Sequence, residues 1–493
     1  MLKLRTKSHF RCLRSIFQLD TCKKKFFTEI SAKDNTHTKP LSEIPGPFCL
    51  PVLGNLHLYK LGKFGIYNVL KYHEVLDKLY HKYGPIVRQK IGSKTIIHLF
   101  SPDDAKTVYH NEDKTPFVVP LQETIQIYRE RGDYSPGLGN TNGETWYRLR
   151  NAVRHLMLQP RDVQGYLPGV QSIANDLIET LHSKRDSENQ IITLQDELGK
   201  YSQEASGFVC FDRRLALLKF SLPFYKYLNT PKWNQLVAAE NIIMSNAIRL
   251  VNETIENLSA LESRGELSND QFPFMKSLLA KKELSREDVT VITLSLYSDG
   301  LSTTVPSLLF NIYCLAMNQD AQETAYKEIC EVTKGSKTLT VSMVNQLSYL
   351  RAVIKETFRV LPNGVEIARI LKKDLLLSNF LVPAEVIQFS ININMNVHYK
   401  SDEFFKDPHT FRPDRWMRGN EGSSINPFIL IPFGHGTRSC TGKRFAEQDM
   451  AVVLCKILQN FKLEYPASEK PLEVVYKTLL FPKDPLRVKF VPR

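Results

Sequence analysis

The ten residues Phe433-Gly434-His435-Gly436-Thr437-Arg438-Ser439-Cys440-Thr441-Gly442 set one cysteine in a loop with three glycines and an arginine. A cysteine so placed can act as a nucleophile or as a metal ligand, since both roles need the thiolate. An apolar helix is expected from Ala446 to Leu458. The free N–H groups at a helix N-terminus favour a nearby thiolate. A nucleophile would want a histidine base, and His435 is close in sequence. The glycines point to something flat lying against the backbone. Gly434, Gly436 and Gly442 remove side chains where a large planar ligand would press, and Arg438 is a partner for a carboxylate on that ligand.

Haem meets each requirement, and a cysteine thiolate is one of its axial ligands. The same stretch resembles the haem loop of the cytochrome P450 family, F-G-x-G-x-R-x-C-x-G, with Phe433, Gly434, Gly436, Arg438, Cys440 and Gly442 in the fixed positions. Trp146 and Arg150 fit the family's W-x-x-x-R, which implies a contact with a haem propionate, and the resemblance adds Arg369 to the cofactor-binding set. Glu356 and Arg359 fit E-x-x-R, and Arg415 in FRPDRW fits the third member of that structural triad. By spacing alone, Glu356 and Arg359 are an ordinary i,i+3 helix pair worth about 0.2–0.5 kcal/mol. In this order before the cysteine loop, they are expected to tie a helix to the segment supporting that loop. The resemblance spans residues 40–490 and implies haem b, iron protoporphyrin IX, on the Cys440 thiolate.

A long apolar segment over 285–317 opens on Ser285-Arg286-Glu287-Asp288, a capping box. Inside it, Asp299-Gly300-Leu301-Ser302-Thr303-Thr304 is similar to the family's (A/G)-G-x-(D/E)-T-(T/S). The resemblance implies that Gly300 leaves room for dioxygen and that Thr303 steers protons for O–O cleavage, which the thiolate favours by pushing electron density to the iron. Two positions depart from the pattern. Ser302 stands where the family has an acid, and Asp299 where it has a small residue. Asp299, four residues before Thr303, shares roughly one helix face with it. It is expected either to take part in the proton relay or to face away and pair with a basic group. Pro306 offers no N–H to the carbonyl of Ser302 and is expected to open the helix there.

The elements that must position these residues are mostly helical. Apolar residues recur at spacings of three and four over 67–83, 102–111, 143–157, 167–183, 194–210 and 232–262. Strand patterns are few: 86–99, 374–391 and 471–491. The expected fold is mainly α with a small β part, in the cytochrome P450 manner, with a long central helix crossing over a buried haem. The chain has 493 residues, 42% of them hydrophobic, enough for a large core. No linker divides it, so one domain over 41–493 is expected after a leader over 1–40. Residues contacting a substrate are expected within 117–140, 208–220, 292–303, 363–367 and 479–481.

The chain carries a net charge of +13, from 65 basic and 52 acidic side chains. Eight of the basic residues and only Asp20 and Glu29 of the acidic ones fall in residues 1–32. This basic, amphipathic start reads as a mitochondrial transit peptide: it has neither the apolar run of about 20 residues that spans a membrane nor a secretory h-region. The eight cysteines are scattered without a disulfide framework, which fits a reducing compartment. The remaining positive charge is dispersed and accompanies no nucleic-acid motif. No flavin or nicotinamide fingerprint occurs, so electrons are expected from a separate protein. Arg351 and Lys355 on the Glu356 helix, with Lys443 and Arg444 after the cysteine loop, resemble the positions where animal mitochondrial P450s receive an acidic ferredoxin supplied by an NADPH-dependent reductase. Residues 220–233 are expected either to touch the inner mitochondrial membrane peripherally, from the matrix side, or to pack as core. The branch implies a sterol or steroid substrate; resemblance over 130–170 and the DGLSTTVP helix favours an ecdysteroid, with hydroxylation of ecdysone at position 20. The alternatives are a xenobiotic-oxidising mitochondrial P450, a thiolate-haem isomerase or dehydratase needing no redox partner, and a haem sensor.

Overall fold

The computed structural model describes residues 38–60, 65–92, 94–120, 123–135, 137–209, 231–266, 272–384 and 389–493. The fold is mainly helical with small sheets. Seven helices carry the site: α1 (Gly143–Leu158), α2 (Leu167–Lys184), α3 (Leu194–Val209), α4 (Arg286–Met317), α5 (Gln319–Thr333), α6 (Ser348–Val360) and α7 (Lys443–Asn460). Four strands form the largest sheet: β1 (Ile86–Ile91), β2 (Lys94–Leu99), β3 (Ile367–Arg369) and β4 (Phe389–Ile393), in the spatial order β1-β2-β4-β3. The β2–β4 pair is parallel and the outer pairs are antiparallel. Of the expected leader over 1–40, residues 1–37 lie outside the described residues, and Lys39 and Pro40 pair with Phe380 and Leu381.

α4 is the spine. Its 32 residues span about 48 Å at 1.5 Å per residue. The capping box forms as expected: Ser285 Oγ accepts from the backbone of Asp288, whose carboxylate accepts in return from Ser285 N. α7 is deeply buried, with Asp449 to Leu458 buried without a break. A helix apolar nearly all round belongs inside a core, and α7 lies within the large cluster that also takes residues from α1, α2, α3, α4 and α6. Two polar side chains are carried inside with it. Lys456 satisfies the carbonyl of Lys337, and Asp449 accepts from Tyr201 Oη of α3.

Two expected strand regions are subdivided. Residues 86–99 are the hairpin β1–β2, turning at Gly92 with φ +60. Residues 374–391 supply two sheets. Leu375–Leu377 and Phe380–Val382 form a hairpin whose turn residues Ser378 and Asn379 both have positive φ, and β4 joins the main sheet.

Candidate functional site

The cysteine loop runs from the end of residues 425–432, which pack on the sheet-side core, into the N-terminus of α7. Gly434 and Gly436 have φ of +70 and +75, so the turn itself demands glycine. A Cβ on Gly434 would make only ordinary contacts, and one on Gly442 would meet nothing within 4 Å, so backbone shape rather than close approach accounts for Gly434. Cys440 donates its N–H to Phe433 O at 2.7 Å, which closes the loop, and its side chain is exposed. Phe433 packs edge-on against Phe358 of α6, ring centroids 5.4 Å apart. His435 packs its ring against Phe428 and Tyr109, at 4.9 and 5.2 Å.

Three arginines converge on this loop from three elements. Arg150, from α1, donates to Ser439 O at 2.8 Å and to Thr441 Oγ1. Burial pushes its guanidinium below the ordinary arginine value, and the neighbouring Cys440 sulfur opposes that shift. Arg438 stacks over Trp146 of α1 at 4.1 Å and donates to Pro116 O, Thr141 O and Asn142 Oδ1. Burial lowers it to about 9, with the Arg369 and Arg150 charges adding to the effect and Glu112 offsetting it. Arg369, at the end of β3, donates to Glu112 Oε1 and, at 3.3 Å, to His435 O. Glu112 carries no motif and was not anticipated from the sequence.

Glu356, Arg359 and Arg415 form one fully buried network, each side chain 0% exposed. Glu356 Oε1 lies 2.7 Å from Arg359 Nη2 and 3.1 Å from Arg415 Nε, and Oε2 accepts from Trp416 Nε1 at 2.8 Å. Arg359 also donates to the carbonyls of Tyr399, Pro408 and Thr410. Helix α6 is thereby fixed to residues 399–416 on one side and, through Phe358, to the cysteine loop on the other. The i,i+3 pair is far more than a surface pair.

On α4, Ser302 and Thr303 are exposed and Thr304 is buried. The side chain of Asp299 lies outside the described residues. Gly300 also has a packing reason. A Cβ there would come 2.2 Å from Ser206 Oγ, so its missing side chain lets α3 approach α4. Around Pro306 the carbonyl of Thr303 accepts from Ser307 Oγ at 2.7 Å and from Asn363 Nδ2 at 2.8 Å. Asn363, whose backbone carbonyl also receives Leu480 N, was missed from the sequence. Its signal was Pro306, because a proline inside a helix disturbs carbonyls that then need side-chain donors.

The basic residues singled out near the cysteine loop have the following surroundings. Lys355 lies 4.0 Å above the Trp416 ring; burial, then the charge of Lys443, lowers its ammonium below the ordinary lysine value. Lys443 and Arg444 open α7, Arg444 being 3.7 Å from Glu447. Arg351 is exposed and donates to the carbonyls of Val344 and Asn345, at the end of the helix Val341–Gln346. Residues 220–230 lie outside the described residues, and Trp233 is buried beneath Arg131.

Residues 44–221 and 216–490 match the family described as Cytochrome P450. The chain is 36% identical over 488 residues to "Probable cytochrome P450 CYP44" of Caenorhabditis elegans, covering 93% of this chain and 96% of that one. The chain belongs to the cytochrome P450 family. It is 28% identical to "Ecdysone 20-monooxygenase" of Drosophila melanogaster (92% of this chain, 88% of that one) and 27% identical to "1,25-dihydroxyvitamin D(3) 24-hydroxylase, mitochondrial" of Mus musculus (92% and 90%). A cytochrome P450 is a monooxygenase with a thiolate-ligated haem, and it draws on O2 and a redox partner.

The residues fit that haem. Arg150 and Arg369, both buried, and the half-buried Arg438 bring three positive charges to the loop, against the carboxylate of Glu112. Two positive charges are left over, and haem b carries two propionates. Buried charges need partners. Among the described residues no three His, Cys, Asp or Glu side chains cluster as a metal site, so a single exposed thiolate beside a cationic cradle is the donor chemistry this P450 offers. Among those residues, too, no helix is long and apolar enough to cross a membrane.

Proposed function

We propose that this cytochrome P450 hydroxylates a sterol or steroid in mitochondria, using electrons from an acidic ferredoxin, and that its substrate is an ecdysteroid, with ecdysone hydroxylated at position 20. The observation that carries the electron-donor reading is the basic side chains beside the cysteine loop, Lys355 over the Trp416 ring and Lys443 over the Phe433 ring. Positive charge on that face suits an acidic partner. Residues 1–40 act as transit peptide, and the enzyme lies peripherally on the matrix side of the inner membrane; the basic leader and the mitochondrial relatives support this. Two relatives whose names state a substrate, at 28% and 27% identity, act on ecdysone and on a vitamin D compound, which supports the steroid class more than either member of it.

In this reading Cys440 would bind the haem iron through its sulfur, and Arg150, Arg369 and Arg438 would hold the propionates, with Trp146 stacked beneath Arg438. When bound, the haem supplies the reductive activation of O2 that inserts one oxygen atom into a C–H bond. The chain's own part is positional and protonic. Glu356, Arg359 and Arg415 hold the support of the loop, and the Thr303 hydroxyl gives up and recovers a proton at Oγ1, with Asp299 resupplying it and Ser302 as the other hydroxyl within the same turn.

The test is turnover of ecdysone by the purified enzyme, with and without ferredoxin and its NADPH-dependent reductase, after a difference-spectrum screen against ecdysteroids, sterols and secosteroids. Ecdysone should perturb the haem spectrum and be hydroxylated only when the ferredoxin system is present. Binding of secosteroids alone would sink the ecdysteroid assignment. Product without ferredoxin or O2 would mean an isomerase or dehydratase.

A further inference from the structure

Glu112 is a carboxylate buried where positive charge collects. Its side chain is 9% exposed, and that of its partner Arg369 is 4% exposed. Oε1 takes the Arg369 bond, whereas Oε2 is buried without a hydrogen-bond partner, as is the neighbouring Tyr109 hydroxyl. A buried ion pair roughly breaks even against an apolar replacement, and an unpartnered buried oxygen costs free energy, so stability alone does not account for this carboxylate. The cysteine loop is shaped around it: a Cβ on Gly436 would come 2.7 Å from Glu112 Oε2. Burial pushes the Glu112 carboxyl up, while Arg369 and then Arg438 hold it back.

We propose that Glu112 is the positioning residue of the propionate-holding cluster, fixing Arg369 against the His435 carbonyl and reducing the three positive charges of Arg150, Arg369 and Arg438 to the two that match the two propionates of haem. The inference rests on the haem-thiolate reading of Cys440. Without the carboxylate, Arg369 would keep its charge but lose the partner that orients its Nε edge. The cluster would then hold one positive charge more than the propionates neutralise. That extra charge favours the reduced, less positive iron. Glu112 therefore sets both how firmly haem is held and how readily it takes an electron.

Two variants separate the charge from the shape. Glu112→Gln removes the charge and keeps the length. It should shift the ferric–ferrous equilibrium toward ferrous by on the order of tenfold, about 59 mV for a one-electron couple. Glu112→Asp keeps the charge with a shorter reach. Its potential should stay near that of the wild type, while haem passes faster from it to apomyoglobin. A purely structural carboxylate would predict haem loss from both variants with no shift in potential. An unchanged potential in Glu112→Gln, or an equal shift in both variants, overturns the proposal. Should Glu112→Gln not retain haem, transfer from Glu112→Asp at the wild-type rate also overturns it. A wild-type protein whose reduced carbon monoxide spectrum is not of the thiolate type would instead sink the haem-thiolate reading, and this inference with it.

Discussion

Asp449 is the side chain whose replacement most clearly separates charge from packing. It lies on α7, nine residues after Cys440, and is 2% exposed. Burial pushes its carboxyl from 3.8 up to about 7, and the hydrogen bond from Tyr201 only partly opposes this. Between pH 4 and 7 the folded protein therefore keeps a proton that the unfolded chain has released. Stability falls as pH rises wherever the unfolded state binds fewer protons, so this group's contribution is fully present near pH 4 and lost above pH 7. A shift of about three units amounts to on the order of 4 kcal/mol. Asp449→Asn keeps an oxygen for Tyr201 and never ionises. The variant should match the wild type near pH 4 and exceed it by up to about 4 kcal/mol at pH 8. Urea unfolding of the haem-loaded proteins, followed by tryptophan fluorescence from pH 4.5 to 8.5, measures that gap. Parallel profiles, or a variant less stable than the wild type at pH 8, would refute the buried, protonated carboxyl.

Glu356→Gln leaves the buried guanidinium of Arg359 without a carboxylate and that of Arg415 with Glu421 alone. The expected cost is about 3–5 kcal/mol, read from the urea midpoint and haem content; a loss below 1 kcal/mol would mean the network is not the tie between α6 and its support. Lys355→Gln combined with Lys443→Gln should raise the ferredoxin concentration needed for half-maximal rate and leave substrate affinity alone. The wild-type rate should fall with salt, because exposed charges are screened over about 8–10 Å at 0.1–0.15 M. Arg351→Gln should affect docking less, since that guanidinium is occupied with the carbonyls of Val344 and Asn345. Thr303→Ala should divert reducing equivalents to hydrogen peroxide and slow product formation on the general acid–base scale of about 10²–10⁴-fold. Asp299→Asn should act in the same direction, with a less than additive double variant; unchanged product per electron would remove Asp299 from the relay.

The parts legible in the sequence were those that local patterns encode. α4 announced its start through Ser285 and Asp288, and the cysteine loop carried its glycines, arginine and cysteine within ten residues. α5 went unnoticed because its buried face is built from Ala321, Gln322, Ala325, Ile329 and Thr333, which hold little apolar periodicity to read. The packing reason for Gly300 was not legible because it lies in Ser206, on another helix. The contacts of Arg351 with the end of Val341–Gln346 were not legible, because no local pattern joins the two helices. Glu112 and Asn363 belong to no pattern. Their partners Arg369 and Thr303 lie 257 and 60 residues away, and only tertiary structure joins them.

The central claim is that Cys440 supplies the thiolate to the haem of this P450. Reduction under carbon monoxide tests it most directly, since a thiolate opposite the bound gas gives a strongly red-shifted absorption band. The wild type should show that band. Cys440→Ser should lose it while the Arg150, Arg369 and Arg438 cradle still takes up haem. A red-shifted band that survives in Cys440→Ser would contradict the assignment.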